Sequence, residues 1–275
     1  MTTKKSSESP KLVYQVELPL STRTFELVIT VIRKHREQIK SRWRKKTDDQ
    51  IALIVLGVLR HDQRLSDMGG GNDVSTSTVR RWVLEVVDGL AARAARLDRV
   101  LAKVKRAGQE VVLLDGTLVP TRRRTGTQNR RNYSGKHKRH GLLFLVMTDL
   151  HGNLLWISAA APGRTHDGKA TKNNRIPAKL RKLDLAMVGD LSFTNVDDDK
   201  NNPVVLTGRR PHAKRRLTEA EKEVNSWISR DRAANEHGIG DLKNWRILTK
   251  LRMHAKNATR LLRALMVLTQ SEITR

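Results

Sequence analysis

The sequence predicts an α/β domain preceded by an all-α unit. Three observations lead there. Apolar residues recur at helical spacing as far as position 108, and short apolar runs of strand length follow it. Two of those runs end in a carboxylate, Asp115 and Asp190, and a third acid, Glu236, lies in a charged segment that reads as helix. The chain is divided accordingly into a polar tail over 1–20, a helical unit over 21–108 and the α/β domain over 109–275.

In the helical unit Phe25, Val28, Ile29 and Ile32 share one helix face, and an Arg- and Lys-rich stretch covers 40–46. Thr47 is the expected N-cap of a second helix carrying Ile51, Leu53, Ile54, Leu56 and Leu59, and the turn Gly69-Gly70-Gly71-Asn72-Asp73 comes after it. The next helix opens on Ser75-Thr76-Ser77 and carries Arg80 and Arg81 before Trp82. Hydroxyls and arginines at the start of a capped helix suit the major groove, so 21–108 reads as a helix-turn-helix unit. This helix is expected to run on unbroken through Leu84, Val87, Leu90, Leu97 and Leu101 to Lys105.

From Glu110 onward strands are expected at 111–114, 142–147, 154–158, 185–188 and 203–206. Asp149-Leu150-His151-Gly152-Asn153 would close a hairpin between the second and third, and a helix over about 168–183 would join the third to the fourth. Thr218 and Glu221 form a Thr-x-x-Glu capping box at the head of the last helix, whose Val224, Trp227 and Ile228 are expected to face the core. A strand, a hairpin, a helix, two further strands and a closing helix is the order of a ribonuclease H-like fold.

Composition narrows the function. Lys and Arg number 54 against 28 Asp and Glu, a formal charge of +26, so a polyanion is expected as partner, nucleic acid first. A ribosomal or chromatin protein, or an arginine-rich genome, would give the same balance. The absence of cysteine excludes disulfides, Cys-ligated zinc and a thiol nucleophile. No apolar stretch reaches the roughly 18 residues of a membrane span, and 1–10 lacks an apolar signal core. A soluble cytoplasmic, nucleoid-associated bacterial protein is the expectation.

Asp115, Asp190 and Glu236 are the candidate catalytic and metal-binding residues. Phosphodiester cleavage needs an activated oxygen nucleophile and a neutralised leaving oxygen, and carboxylates supply both by holding two Mg²⁺ or Mn²⁺ ions. Each residue alone has an ordinary reading: Asp115-Gly116 and Gly189-Asp190 as turns, and Glu236 as a helical ion pair with Arg232. Asp167, preceded by His166, is a rival second carboxylate and is placed with His166 as an accessory. The run Asp197-Asp198-Asp199 reads as a solvated loop, because adjacent side chains diverge. Between Arg122 and Arg139 stand eight cations and no acid: Arg122, Arg123, Arg124, Arg130, Arg131, Lys136, Lys138 and Arg139. With Tyr133 and His137 among them they are expected to track DNA phosphates, and 209–216 holds a second basic run.

From Asp115 to about Arg260 the chain resembles the DDE-type transposases of insertion sequences, in the branch that includes the Harbinger-like nucleases. The residues carrying the resemblance are Leu114-Asp115-Gly116-Thr117, Tyr133-Ser134-Gly135-Lys136-His137-Lys138, Pro162-Gly163-Arg164-Thr165-His166-Asp167, Val188-Gly189-Asp190, Arg230-Asp231-Arg232, Asn235-Glu236-His237, Leu242-Lys243 and Trp245-Arg246-Ile247-Leu248. The resemblance implies a metal-dependent endonuclease that cuts double-stranded DNA at the ends of a mobile element and joins the freed 3′ hydroxyl to target DNA, acting as a homodimer or higher assembly. It matches Asp115, Asp190 and Glu236 to the family's metal triad. The pattern departs after Asp190, where the family has a basic residue, a glycine and a tyrosine and this chain has Leu191-Ser192-Phe193. The competing reading is a DNA-binding protein without catalysis, either a remnant of such an element or a domesticated regulator.

Overall fold

A computed structural model of the chain describes residues 17–40, 45–122, 127–197, 199, 201–211 and 216–273. Arg123, Arg124, Asp198, Lys214, Arg215 and most of the tail lie outside these residues, so the expectations placed on them are not addressed.

Four helices precede the first crossing of the core: α1 (Thr22–Gln38), α2 (Asp48–His61), α3 (Leu65–Gly70) and α4 (Thr76–Ala91). The starts of α1, α2 and α4 are set by side chains that satisfy free backbone N–H groups, each such cap stabilising by about 1 kcal/mol. Ser21 accepts from the Thr24 N–H and Ser75 from the Thr78 N–H, while Thr47 and Gln50 cap each other reciprocally as a capping box. Thr47 and Ser75 thus cap the helices that the sequence assigned to them. The glycine run begins earlier than expected as structure, since Gly69 and Gly70 close α3 and the turn itself starts at Gly71.

The expected long helix is two helices. After Ala92 the chain turns, and α5 (Leu97–Arg106) restarts on a different core from α4. Leu90 packs with α1, α2 and α10 (Ala255–Glu272), whereas Leu97, Val100, Leu101 and Val104 pack on the opposite face of the sheet. Periodicity continues across the break, so spacing alone does not reveal it.

The sheet comprises β1 (Val111–Pro120), β2 (Tyr133–Ser134), β3 (Arg139–Thr148), β4 (Leu154–Ile157), β5 (Ala161–Pro162), β6 (Ala186–Gly189) and β7 (Val205–Thr207). Its order is β2-β3-β1-β6-β7, with β4 and β5 also paired to β3. β1 runs antiparallel to β3, while β1, β6 and β7 run parallel, giving a mixed α/β fold. The five expected strands are present within one or two residues at most ends, but β1 runs on to Pro120 and β3 starts at Arg139. Residue alternation sends Val119, Phe144 and Val146 to one core and Val112, Leu114, Leu145 and Met147 to the other. Helices from before position 108 therefore cover both faces of the sheet.

Between β5 and β6 the expected single helix is split into α7 (Asp167–Asn173) and α8 (Ile176–Lys182). Arg175 sits between them in the left-handed region at φ 53°, and Pro177 occupies the first turn of α8, where its missing N–H costs nothing. Asp197 also departs from the solvated-loop reading. It accepts from the Val204 N–H at 2.8 Å and from Arg181 at 2.6 Å, tying the loop to β7, and Arg181 with these bonds holds its carboxyl below the usual range against the opposing effect of burial.

The last long helix, α9 (Glu219–Lys243), opens on the expected Thr218–Glu221 capping box. Its C-terminal half buries Asn235, Gly238, Ile239 and Leu242 across β1, β3 and β6. Gly238 is needed there, because a Cβ would lie 2.5 Å from the Gly152 carbonyl oxygen. The N-terminal half corrects the sequence reading: Val224 is 47% and Trp227 54% exposed. The apolar stripe does continue along the helix, but the helix outruns the sheet and nothing among the described residues covers it.

Candidate active site

Asp115 lies inside β1 rather than at its end, opposite Val146 of β3. What ends beside it is β6. The parallel register pairs Val111 with Ala186, Val112 with Met187 and Leu113 with Val188. Carried on by two residues, it sets Asp190 next to Asp115, where β6 leaves the sheet and β1 continues against β3 alone. Gly116 is thus a strand residue and not part of a turn.

The Asp115 carboxyl is pushed up to about 6. Burial is the largest cause, and the charges of Asp190 and Asp167 add to it; a hydrogen bond from the Gly116 N–H at 2.7 Å and the Arg232 guanidinium act the other way. Asp190 caps the 3₁₀ turn Leu191–Phe193, accepting from the Ser192 N–H at 2.8 Å and from the Ser192 hydroxyl. The Leu-Ser-Phe departure therefore keeps local functions: Ser192 orients Asp190, and Phe193 is fully buried against Gly189.

Asp167 reaches the same place from α7. A Cβ on Gly116 would lie 2.1 Å from Asp167 Oδ1, so only glycine admits this approach. His166 caps α7 through Nδ1, which accepts from the Gly168 N–H at 3.2 Å. His137, from the β2–β3 turn, feels the Asp167 charge; burial chiefly, with Lys136 beside it, moves its pKa below the ordinary histidine value. A cleft of about 600 Å³ joins Lys136, His166, Asp190, Ser192, Arg210 and Arg232.

Glu236 stands apart from this arrangement. Its side chain is 63% exposed and faces Arg232 at 3.6 Å, the helical ion pair that spacing allows. Among the described residues no group of three or more His, Cys, Asp and Glu is placed to hold an ion. The structure thus brings Asp115, Asp190 and Asp167 into mutual electrostatic range and leaves Glu236 one step outside, on a helix that crosses β1 and β6.

Three residues outside the predicted triad also belong to the site. Arg232 lies between Asp115 and Glu236, and Arg210 joins it in the cleft. Asn235 is buried with neither amide atom hydrogen-bonded among the described residues. The sequence marks it only through the resemblance, since a polar residue inside a charged helix is otherwise expected to face water.

Of the residues assigned to DNA, Ser75, Thr76, Ser77, Arg80 and Arg81 are exposed at the head of α4, with Ser75 engaged in the cap and Arg81 near Glu85 at 3.6 Å. They flank a cleft of about 680 Å³ between α1 and α4 that also takes in Lys34, His35 and Arg93. Arg122, Arg130, Arg131, Lys136, Lys138 and Arg139 are all exposed around α6 (Thr127–Asn132) and the β2–β3 turn, on the side of the sheet edge that carries His137. Trp82, Trp156 and Trp245 are buried, whereas Trp227 is exposed. Among the described residues no helix is long and apolar enough to cross a membrane.

A protein of Streptomyces albus G named "Putative transposase for insertion sequence element IS112" is 27% identical over 239 residues, covering 85% of this chain and 84% of that protein. No solved structure matches the chain. The family model described as DDE superfamily endonuclease matches residues 114–270, from the residue before Asp115 to beyond Glu236 and over more than half of the chain. By that match the chain belongs to the DDE superfamily endonucleases.

Proposed function

We propose that this chain is the transposase of an insertion sequence, cutting double-stranded DNA at the element's ends and joining it to target DNA, with a ribonuclease H-like catalytic domain behind a helix-turn-helix unit. The observation that carries the reading is the register of β1 and β6, which sets Asp115 beside Asp190 within the span matched by the endonuclease family. Burial chiefly, with the charges of Asp190 and Asp167 beside it, raises the pKa of the half-buried Asp115, and a bound cation would offset that effect. An all-oxygen donor set of this kind fits hard divalent ions such as Mg²⁺ or Mn²⁺.

Asp115 and Asp190 would hold such ions, with Glu236 completing the set. Glu236 would have to leave Arg232, and an exposed helical ion pair of this type is worth only about 0.3–0.5 kcal/mol, far less than a divalent ligand bond offers. When bound, two ions supply charge to the attacking and leaving oxygens of a phosphodiester. The chain's own residues do the rest. Ser192 fixes the rotamer of Asp190. Lys136, Arg210 and Arg232 offer phosphate contacts around Asp190, and the exposed cations from Arg122 to Arg139 extend that track along the duplex. Ser75, Thr76, Ser77, Arg80 and Arg81 would read the element's end in the major groove. Asp167 and His166 act as positioning residues beside Gly116.

The test is nicking of a supercoiled plasmid carrying the element's ends. Nicking with Mg²⁺, none with EDTA, and a loss on the order of 10³-fold or more in Asp115→Ala with salt-sensitive DNA binding intact is the expected outcome. Cleavage that persists in Asp115→Ala removes the assignment, and a wild-type chain that binds the ends without cutting them is instead a DNA-binding remnant or regulator.

A further inference from the structure

Among the described residues nothing covers the exposed stripe on the four N-terminal turns of α9, and its charge pattern is complementary to its own reverse. Val224 and Trp227 are exposed, and Leu206 of the edge strand β7 is 42% exposed. Leu206 pairs with Val188, which pairs with Leu113, so it points to the same side of the sheet as Asp115 and α9. Asn225 bonds the Arg209 N–H at 2.8 Å and fixes the helix to the chain leaving β7. The apolar stripe is therefore held rigidly at the sheet's open edge.

Duplex DNA is a poor occupant. In a chain of charge +26 this segment is locally acidic, with Glu219, Glu221, Glu223 and Asp231 against Lys222, Arg230 and Arg232. Phosphates would be repelled here and drawn to the cationic cleft instead. The surface also turns away from that cleft: Arg232, the α9 residue that lines the cleft, comes five residues after Trp227 and so stands about 140° round the helix from it.

Glu223 and Arg230 stand seven residues apart on one face, with Trp227 between them. When two such helices meet antiparallel about a two-fold axis, Glu223 of each lies opposite Arg230 of the other, and both tryptophans enter the contact. We propose that this stretch of α9 docks a second copy of the chain, antiparallel, through Glu223, Trp227 and Arg230. Such a dimer leaves both Asp115 clefts open and points them away from the contact, which suits two DNA ends held at once. The inference goes beyond the nuclease reading and does not depend on it.

The experiment is sedimentation of the full chain across a concentration range, with and without DNA. The wild type is expected to dimerise. Glu223→Arg alone and Arg230→Glu alone each set like charges face to face and should weaken the dimer by about tenfold or more. The double variant Glu223→Arg, Arg230→Glu restores opposite charges and should recover it. Trp227→Ala should weaken it as well. All of these side chains are exposed, so thermal unfolding of the variants should stay close to that of the wild type. A monomeric wild type, a dimer indifferent to the single reversals, or a double variant no better than the singles would each overturn the proposal. A monomer that nicks DNA refutes this inference alone, and a dimer that does not nick refutes only the nuclease reading.

Discussion

The two carboxylates supplied by strands and the one supplied by a helix are held in different ways. Asp115 and Asp190 sit where hydrogen-bonded neighbours fix their backbones, and a shift of register would move every paired side chain with them. Their closeness is maintained by the sheet at a cost, seen in the Asp115 carboxyl raised to about 6. Glu236 bears no such cost. It is exposed, partnered by Arg232, and tied to the site only by the crossing of α9 over β1 and β6. The strands hold a fixed pair in which Asp115 carries the strain, and the helix carries an exposed carboxylate that, under the proposed function, would move in as a ligand. Fold stability is spent on the part of the site that must exist before the substrate does.

The sharpest way to break this comparison is to remove the charge from each kind of carboxylate and measure stability. Asp115 has a folded pKa above its unfolded value near 3.8. The folded state therefore keeps a proton that the unfolded state has lost. That contribution is fully present below about pH 4 and is lost as pH rises through about 6. The difference is worth up to about 3 kcal/mol at neutral pH. Asp115→Asn should accordingly be more stable than wild type at pH 7.5 by up to that amount, with the gap closing toward pH 4, as measured by denaturant unfolding. Mg²⁺ should raise the melting temperature of the wild type and leave Asp115→Asn unchanged. A wild type as stable as Asp115→Asn at neutral pH would mean that the strand pair is not strained.

A smaller effect is expected at Gly116. Its substitution by alanine places a methyl group against Asp167 Oδ1 and should cost about 1–3 kcal/mol while displacing Asp167 from the site. A neutral Gly116→Ala would show that the approach of Asp167 is not fixed. The smallest effect belongs to the helix: Glu236→Gln should change stability by no more than about 0.5 kcal/mol at any pH, because it removes only an exposed pair. A larger loss would place Glu236 in the fold's framework and erase the contrast.

Much of this was legible in the sequence, and the exceptions have physical causes. The strands, both capping boxes and the Ser75 cap follow from patterns that span a few residues, which the local backbone obeys. The helix start at Pro177 was also legible, since proline favours the first turn of a helix, but the apolar pattern around it hid the signal. The turn at Ala92–Arg96 was not legible. It is set by which sheet face α5 covers, a long-range choice that leaves no mark in helical spacing. Trp227 fails for the converse reason: its periodicity is right, but the sheet that should lie under it ends first. At the site, chain order singled out Asp115, Asp190 and Glu236, and register then placed two of them side by side. The roles of Asp167, Arg232 and Asn235 depend on what lies across from them, which only the folded chain specifies.

The account rests on β1 and the end of β6 offering one cation site, to which α9 adds its carboxylate. Iron(II) in place of Mg²⁺, followed by hydroxyl-radical cutting of the protein backbone, reads that site directly. The predicted result is a small set of cuts beside Asp115, Asp190 and Glu236, suppressed by excess Mg²⁺ and absent from Asp115→Asn. Cuts elsewhere in the chain, or the same cuts in Asp115→Asn, would contradict it.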